Sequence, residues 1–255
     1  MARLPRLYAP GLPHLAQARF TSSLAPSEGS VAALFDRVAG WLADESRLHG
    51  VALHGWTLAP DQLLLLATPA GPTGLAGLLQ AIGRRLAAHL RSGPVFQGRY
   101  RSTLVEPGAW VLPAQAWVET LPLRLSLTDD AEQWRWSSAA AHMGGAKQPF
   151  LHDHGDYWAY GNTPFDRQAK YRRYVLAGLS ARESDAIRRA LQGQWALGWD
   201  SFLDMLGGGA ASRRPAAARR GRPRKAVVSA TGAEVETLTP KDDAPGAQQA
   251  LGKSV

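Results

Sequence analysis

His54-Gly55-Trp56-Thr57-Leu58-Ala59-Pro60-Asp61-Gln62-Leu63-Leu64-Leu65-Leu66-Ala67-Thr68 reads as two short strands pinched together at Ala59-Pro60-Asp61. Proline fixes φ and aspartate tolerates turn geometry. The flanking runs Val51 to Leu58 and Leu63 to Thr68 are apolar, of strand length, and too short for typical helices. This predicts a β-hairpin at the centre of a sheet and an α+β fold around it.

Upstream, His14 to Arg19 reads as a first strand at or near the sheet edge, entered from a Pro/Gly-rich lead-in. Ser30 is placed as an N-cap, after which Val31, Leu34, Phe35, Val38, Leu42 and Leu48 recur at three- and four-residue spacing. That spacing predicts an amphipathic helix stopping near His49-Gly50. Downstream, Pro69, Gly71 and Pro72 interrupt the chain, and Leu75, Leu78, Leu79, Ile82, Leu86 and Leu90 predict a second helix. Its polar side carries Arg84, Arg85, His89 and Arg91, which suits phosphate contact and a plain solvated face equally well.

Phe96-Gln97-Gly98-Arg99-Tyr100-Arg101-Ser102-Thr103-Leu104-Val105 is a loop feeding a strand, with Arg99 and Arg101 two apart as candidates for forked phosphate contacts. Gly108 to Val118 reads as a helix. Thr163 caps another with Pro164 at its first position, carrying Tyr171, Tyr174, Val175 and Leu179. His152-Asp153-His154-Gly155-Asp156 has metal-ligating residue types but reads as a solvated loop.

The 255 residues, 45% hydrophobic, suffice for one core of about 150 to 200 residues with an appendage. No run approaches the roughly 20 apolar residues of a membrane span, and Pro10, Gly11 and Pro13 follow the N-terminus where a signal core would be apolar. A cytoplasmic protein is expected. The absence of cysteine excludes disulfides and thiolate metal sites. Net charge is +8, and residues 209 to 255 hold nine Lys/Arg against four Asp/Glu, +5 of the total. A basic tail without an amphipathic apolar face points to nucleic acid before membrane.

Several segments together resemble the REP-associated tyrosine transposases, single-tyrosine HUH enzymes of the insertion-sequence-200-like group. The opening Met1 to Leu7 is similar to their start, and Gly98-Arg99-Tyr100-Arg101 to their Gly-Arg-Tyr-Arg segment. Gln133-Trp134-Arg135-Trp136-Ser137-Ser138 resembles their Trp-x-Trp-Ser-Ser signature. Tyr157 to Phe165 and Gly193 to Leu203 match later elements, so the likeness runs from residue 1 to about 206. It implies a small antiparallel sheet of four or five strands with helices on one face, in a ferredoxin-like arrangement, over residues 1–128. A helical accessory region over 129–206 and a disordered basic tail over 207–255 would follow.

The resemblance fails where the family does its chemistry. Its Pro-Asn-His-x-His motif, whose histidines bind Mg²⁺ or Mn²⁺, is matched here by Pro60, Asp61, Gln62, Leu63 and Leu64. Leu64 has no lone pair and Gln62 is a weak neutral ligand, so no metal is expected. The family's nucleophilic tyrosine is matched by Trp117, in Trp117-Val118-Glu119-Thr120-Leu121-Pro122-Leu123-Arg124, and an indole has no hydroxyl to attack a phosphodiester.

In the tail, Arg219-Arg220-Gly221-Arg222-Pro223-Arg224-Lys225 looks like an AT-hook, tethered by Gly207-Gly208-Gly209. Arg220 and Arg222 suit a narrow A·T-rich minor groove, Gly221 clears its floor, and Pro223 and Arg224 continue the extended run. The sequence therefore predicts a transposase-like DNA-binding protein without catalysis, its partners single-stranded hairpin DNA or A·T-rich duplex. Two alternatives stay open: an active enzyme using displaced residues such as His54 with His14, and a decayed gene product.

Overall fold

The computed structural model describes residues 6–24, 31–210 and 215–216, all within one compact unit spanning Met1–Ala218. Ser30 and the Arg219 to Lys225 run lie outside the described residues.

Four antiparallel strands make one sheet: β1 (His14–Arg19), β2 (Val51–Ala59), β3 (Gln62–Pro69) and β4 (Arg101–Leu104), in the order β2-β3-β1-β4. The expected hairpin is present and turns at Pro60-Asp61. Its place in the sheet differs from expectation, because only β3 is central and β2 is an edge. β1, expected at or near the edge, lies one strand in, between β3 and the edge strand β4. Hydrophobic pattern sets which face a strand buries, whereas strand order depends on long-range pairing that local pattern does not encode.

Alternation gives the sheet two apolar faces. Ala16, Ala18, Leu63, Leu65, Ala67, Leu53 and Leu58 meet α1 (Val31–Leu48) and α2 (Gly74–Leu90) through Phe35, Val38, Leu42, Leu78 and Ile82. α1 stops as predicted, with Gly50 at φ 59, but Leu48 is 76% exposed and does not join the apolar face. Leu90 at the end of α2 is likewise largely outside the core.

The opposite face, carrying Leu15, Leu64, Leu66 and Ala59, is covered by α3 (Val111–Glu119) and α8 (Ala181–Gly193) through Val111, Ala114, Val118, Ile187 and Leu191. The two long N-terminal helices thus share one face as expected, but α3, from the same expected domain, covers the other face together with α8 of the expected accessory region, so helices lie on both faces. β2 needs both phases at once, and a bulge at His54, between the Leu53↔Ala67 and Gly55↔Leu66 pairs, provides them.

The remaining short elements, α4 (Leu121–Arg124), α5 (Ala139–His142) and α6 (Gly155–Trp158), precede α7 (Pro164–Ala177). Thr163 caps α7 by accepting from the Asp166 N–H at 3.2 Å, but Gly178 ends the helix before Leu179. The exposed edge of β2 is blunted by two loops. Leu58 N–H donates to the Trp136 carbonyl, Ser138 N–H to the Trp56 carbonyl, and His152 N–H to the Leu53 carbonyl. The Trp134 indole adds a bond to the Leu58 carbonyl while Trp136 reaches Asp36, so the paired tryptophans are structural.

At the C-terminal side, α9 (Asp200–Met205) continues into a π-helical turn over Leu206–Ala210. Gly207 and Gly208 therefore extend the chain's helical path where a break was expected, and the Pro215 carbonyl still accepts from Ala196 N–H at 2.8 Å.

Candidate nucleic-acid interface

One rung crosses the whole sheet: Thr57 on β2 faces Leu64 on β3, Leu64 faces Gln17 on β1, and Gln17 faces Arg101 on β4. The next pairs Ala59, Gln62 and Arg19. Because strand side chains repeat with period two, Gln62 and Leu64 share the face that α3 covers, where Trp117 also packs. The structure thus gathers all three positions that the resemblance singled out.

Their chemistry does not suit a metal or a nucleophile. Leu64 is wholly buried within the apolar cluster. The Gln62 carbonyl oxygen accepts from Gln17 Nε2 at 2.5 Å, and its own amide donates to Asp61 at 3.2 Å. Trp117 is half-buried, with the Arg124 guanidinium 4.4 Å above its ring. A divalent cation placed here would meet one amide already engaged and a hydrocarbon wall, so the residues do not fit Mg²⁺ or Mn²⁺. Among the described residues no group of three His, Asp or Glu side chains forms a metal site.

The polar end of that face is different. Arg99 and Arg101 are both exposed, and among the described residues neither forms an ion pair. Arg19, which sequence reading passed over, is exposed on the same face as Arg101 and lies 4.0 Å from Asp61. The alternation of β1 placed Gln17 and Arg19 together, but only the register shows them beside Arg101. Gly98 holds φ 76, turning the chain so that Gln97 N–H reaches the Arg19 carbonyl at 2.7 Å. Tyr100 is held by the Arg6 guanidinium 3.6 Å above its ring, and burial raises its phenol above the ordinary value.

The α2 arginines separate. Arg85 Nε bonds Glu45 at 2.9 Å, with Asp44 at 3.9 Å and the Trp41 ring behind it, so it ties α2 to α1. Arg84 is exposed and, among the described residues, makes no such contact. Arg220, Gly221, Arg222, Pro223 and Arg224 lie outside the described residues.

A buried polar cluster under α3 escaped sequence reading. Glu119 Oε1 lies 2.5 Å from His142 Nδ1 and accepts from Ser138 Oγ at 2.5 Å, while Oε2 accepts from the Tyr171 hydroxyl at 2.7 Å. Asp153 stands 3.4 Å from the other imidazole nitrogen. Burial pushes the imidazole down, but the two carboxylates outweigh it and raise His142 to about 9, so it is a cation at neutral pH. Glu119 on α3, Ser138 and His142 at the two ends of α5, and Tyr171 on α7 come from three separate elements, and only the fold assembles them. Asp153 thereby has a structural partner. In the same segment His154 Nδ1 accepts from Asp156 N–H, and Asp156 accepts from Gly108 N–H at 2.6 Å, correcting the expected solvated loop to a bracing one.

His54 and His14 have separate settings. His54 Nδ1 donates to the His152 carbonyl at 2.6 Å and Nε2 accepts from the Thr68 hydroxyl at 2.8 Å, while His14 stacks on Tyr8. Burial lowers both imidazoles to about 4, leaving them neutral.

No family model and no curated protein matches the chain. Among solved structures, the chain is similar to the REP-associated tyrosine transposase bound to a REP hairpin, with TM-score 0.49, 10% identity, and coverage of 61% of this chain and 93% of that one. An inferred transposase of Deinococcus radiodurans R1 gives TM-score 0.31 and 23% identity, over 42% of this chain and 87% of the other. No described helix is long and apolar enough to cross a membrane.

Proposed function

We propose that the chain is a transposase-like DNA-binding protein that grips single-stranded or hairpin DNA at the β1/β4 corner and does not cut it. The observation that carries this reading is the pair of exposed arginines Arg99 and Arg101, without an ion pair among the described residues, with Arg19 and Arg101 on the same face as Leu64 and Trp117. Arg85, by contrast, is tied to Glu45 and serves the packing of α2 on α1. Cations left free beside a polar corner suit phosphate, and a guanidinium fork fits phosphate with two bonds. The same face, filled by Leu64 and Trp117, supports binding without a covalent step.

The test is the salt dependence of hairpin-DNA binding by the full chain. Each phosphate contact contributes about −0.7 to the log–log slope on single strands. Arg99→Ala with Arg101→Ala should reduce the slope by about 1.4. An unchanged slope would place the DNA elsewhere.

A further inference from the structure

Beside the β2 edge, between the residue 147–153 segment and α7, lies a cleft of about 630 Å³. Lys147, His152, Asp153, Trp158 and Arg167 line it. Arg167 is 5% exposed, yet among the described residues no carboxylate comes within ion-pair reach. Its guanidinium faces the Tyr157 ring at 5.3 Å and donates a long bond from Nη1 to the Gly161 carbonyl at 3.4 Å, while Nε is buried without a partner among the described residues. Asp153, the carboxylate of the cleft, faces the His142 imidazolium. Asp153 feels the Arg167 charge but is bound to the His142 imidazolium, so among the described residues the guanidinium has no carboxylate of its own; a buried cation kept in this state beside a cavity is matched to an anion from outside.

The second observation is Trp158. Its ring lies 4.0 Å from the Arg167 guanidinium carbon, and 55% of the residue is exposed. A large aromatic surface left open and backed by a cation suits stacking by another flat ring. Pro164, the first residue of the fourteen-residue α7, also lines the cleft, so the positive end of that helix lies at the cavity.

We propose that this cleft holds a nucleoside phosphate, its phosphate on Arg167 and Lys147 and its base against Trp158. The cleft sits at β2, through His152 N–H to the Leu53 carbonyl, whereas Arg101 lies on β4 at the opposite edge, three strand spacings or about 14 Å away. It is therefore a site separate from the β1/β4 corner and does not rest on the DNA reading of that corner.

The experiment is calorimetric titration of the full chain with thymidine monophosphate, with a thymidine tetranucleotide and with inorganic phosphate. Saturable binding of one nucleoside phosphate per chain is expected, weakened at least tenfold by Trp158→Ala, whose exposed position spares the fold. Arg167→Lys should weaken it as well, since an ammonium lacks the planar fork. Saturation by the mononucleotide identifies a free nucleotide as the ligand, and saturation by the tetranucleotide alone identifies an unpaired nucleotide of a strand. No saturable binding by either would overturn the proposal. So would inorganic phosphate competing as well as the nucleotide, or Trp158→Ala binding like wild type. Hairpin binding governed by Arg99 and Arg101 would survive each of those failures.

Discussion

His142 Nδ1 and Glu119 Oε1 stand 2.5 Å apart at a point where neither residue meets solvent. With Asp153 on its other side the imidazole is raised to about 9, above its ordinary 6.5. A raised pKa in the fold gives stability that is full below pH 6.5 and lost as pH rises toward 9. His14 and His54 act oppositely: burial lowers both to about 4, so their neutral forms favour the fold above 6.5 and stability falls as pH drops toward 4. The urea midpoint should peak near pH 6.5. His142→Gln should flatten the alkaline limb and leave the acid limb, and a midpoint rising steadily from pH 6.5 to 9 would contradict the assignment.

Removing the carboxylate is a harsher test than titrating its partner. Glu119→Ala leaves the His142 cation, the Ser138 hydroxyl and the Tyr171 hydroxyl without their acceptor in a closed interior. Breaking a buried pair on one side costs about 3 to 5 kcal/mol. Chemical denaturation at pH 7 should show a loss of that size, and Glu119→Gln a smaller one, because an amide oxygen still accepts.

How much of this was legible depended on whether the signal was local. Pro60-Asp61 and the runs around it specify a hairpin, and the spacing from Val31 to Leu42 specifies a helix, because sterics and one-sided burial act within a few residues. Ser180 and Glu183 form a capping box that announces α8, a signal present in the sequence and passed over. The order β2-β3-β1-β4 and the grouping of Glu119, Ser138, His142 and Tyr171 depend on contacts between remote segments. No periodicity encodes those. Gln62, Leu64 and Trp117 lie between the two cases: the resemblance flagged them singly, and the register shows that Gln62 and Leu64 face α3, where Trp117 packs.

That shared face bears directly on strand cleavage. A covalent protein–DNA adduct needs a hydroxyl or thiolate aimed at phosphorus, and the cluster that holds Leu64 is packed by the Trp117 indole under Arg124. Incubation of labelled hairpin DNA with the chain and Mn²⁺ should leave no denaturation-resistant adduct and no nick. An adduct that survives denaturation, mapped by mass spectrometry, would name the residue that this reading lacks.

The tail prediction stands on sequence chemistry. Arg220 and Arg222 flank Gly221 in the densest basic run of the chain. Inserted arginines gain most where the minor groove is narrow and its negative potential deep, as in A·T tracts, whereas a phosphate-gripping run is indifferent to base sequence. Arg220→Ala with Arg222→Ala should therefore cost much more affinity on A·T-rich than on G·C-rich duplex, measured at one salt concentration. Equal losses on the two duplexes would make the run a nonspecific phosphate-binding tail. On the proposed reading, the β1/β4 corner would then carry the DNA preference, because Arg19 and Arg101 sit on a framework fixed by strand register.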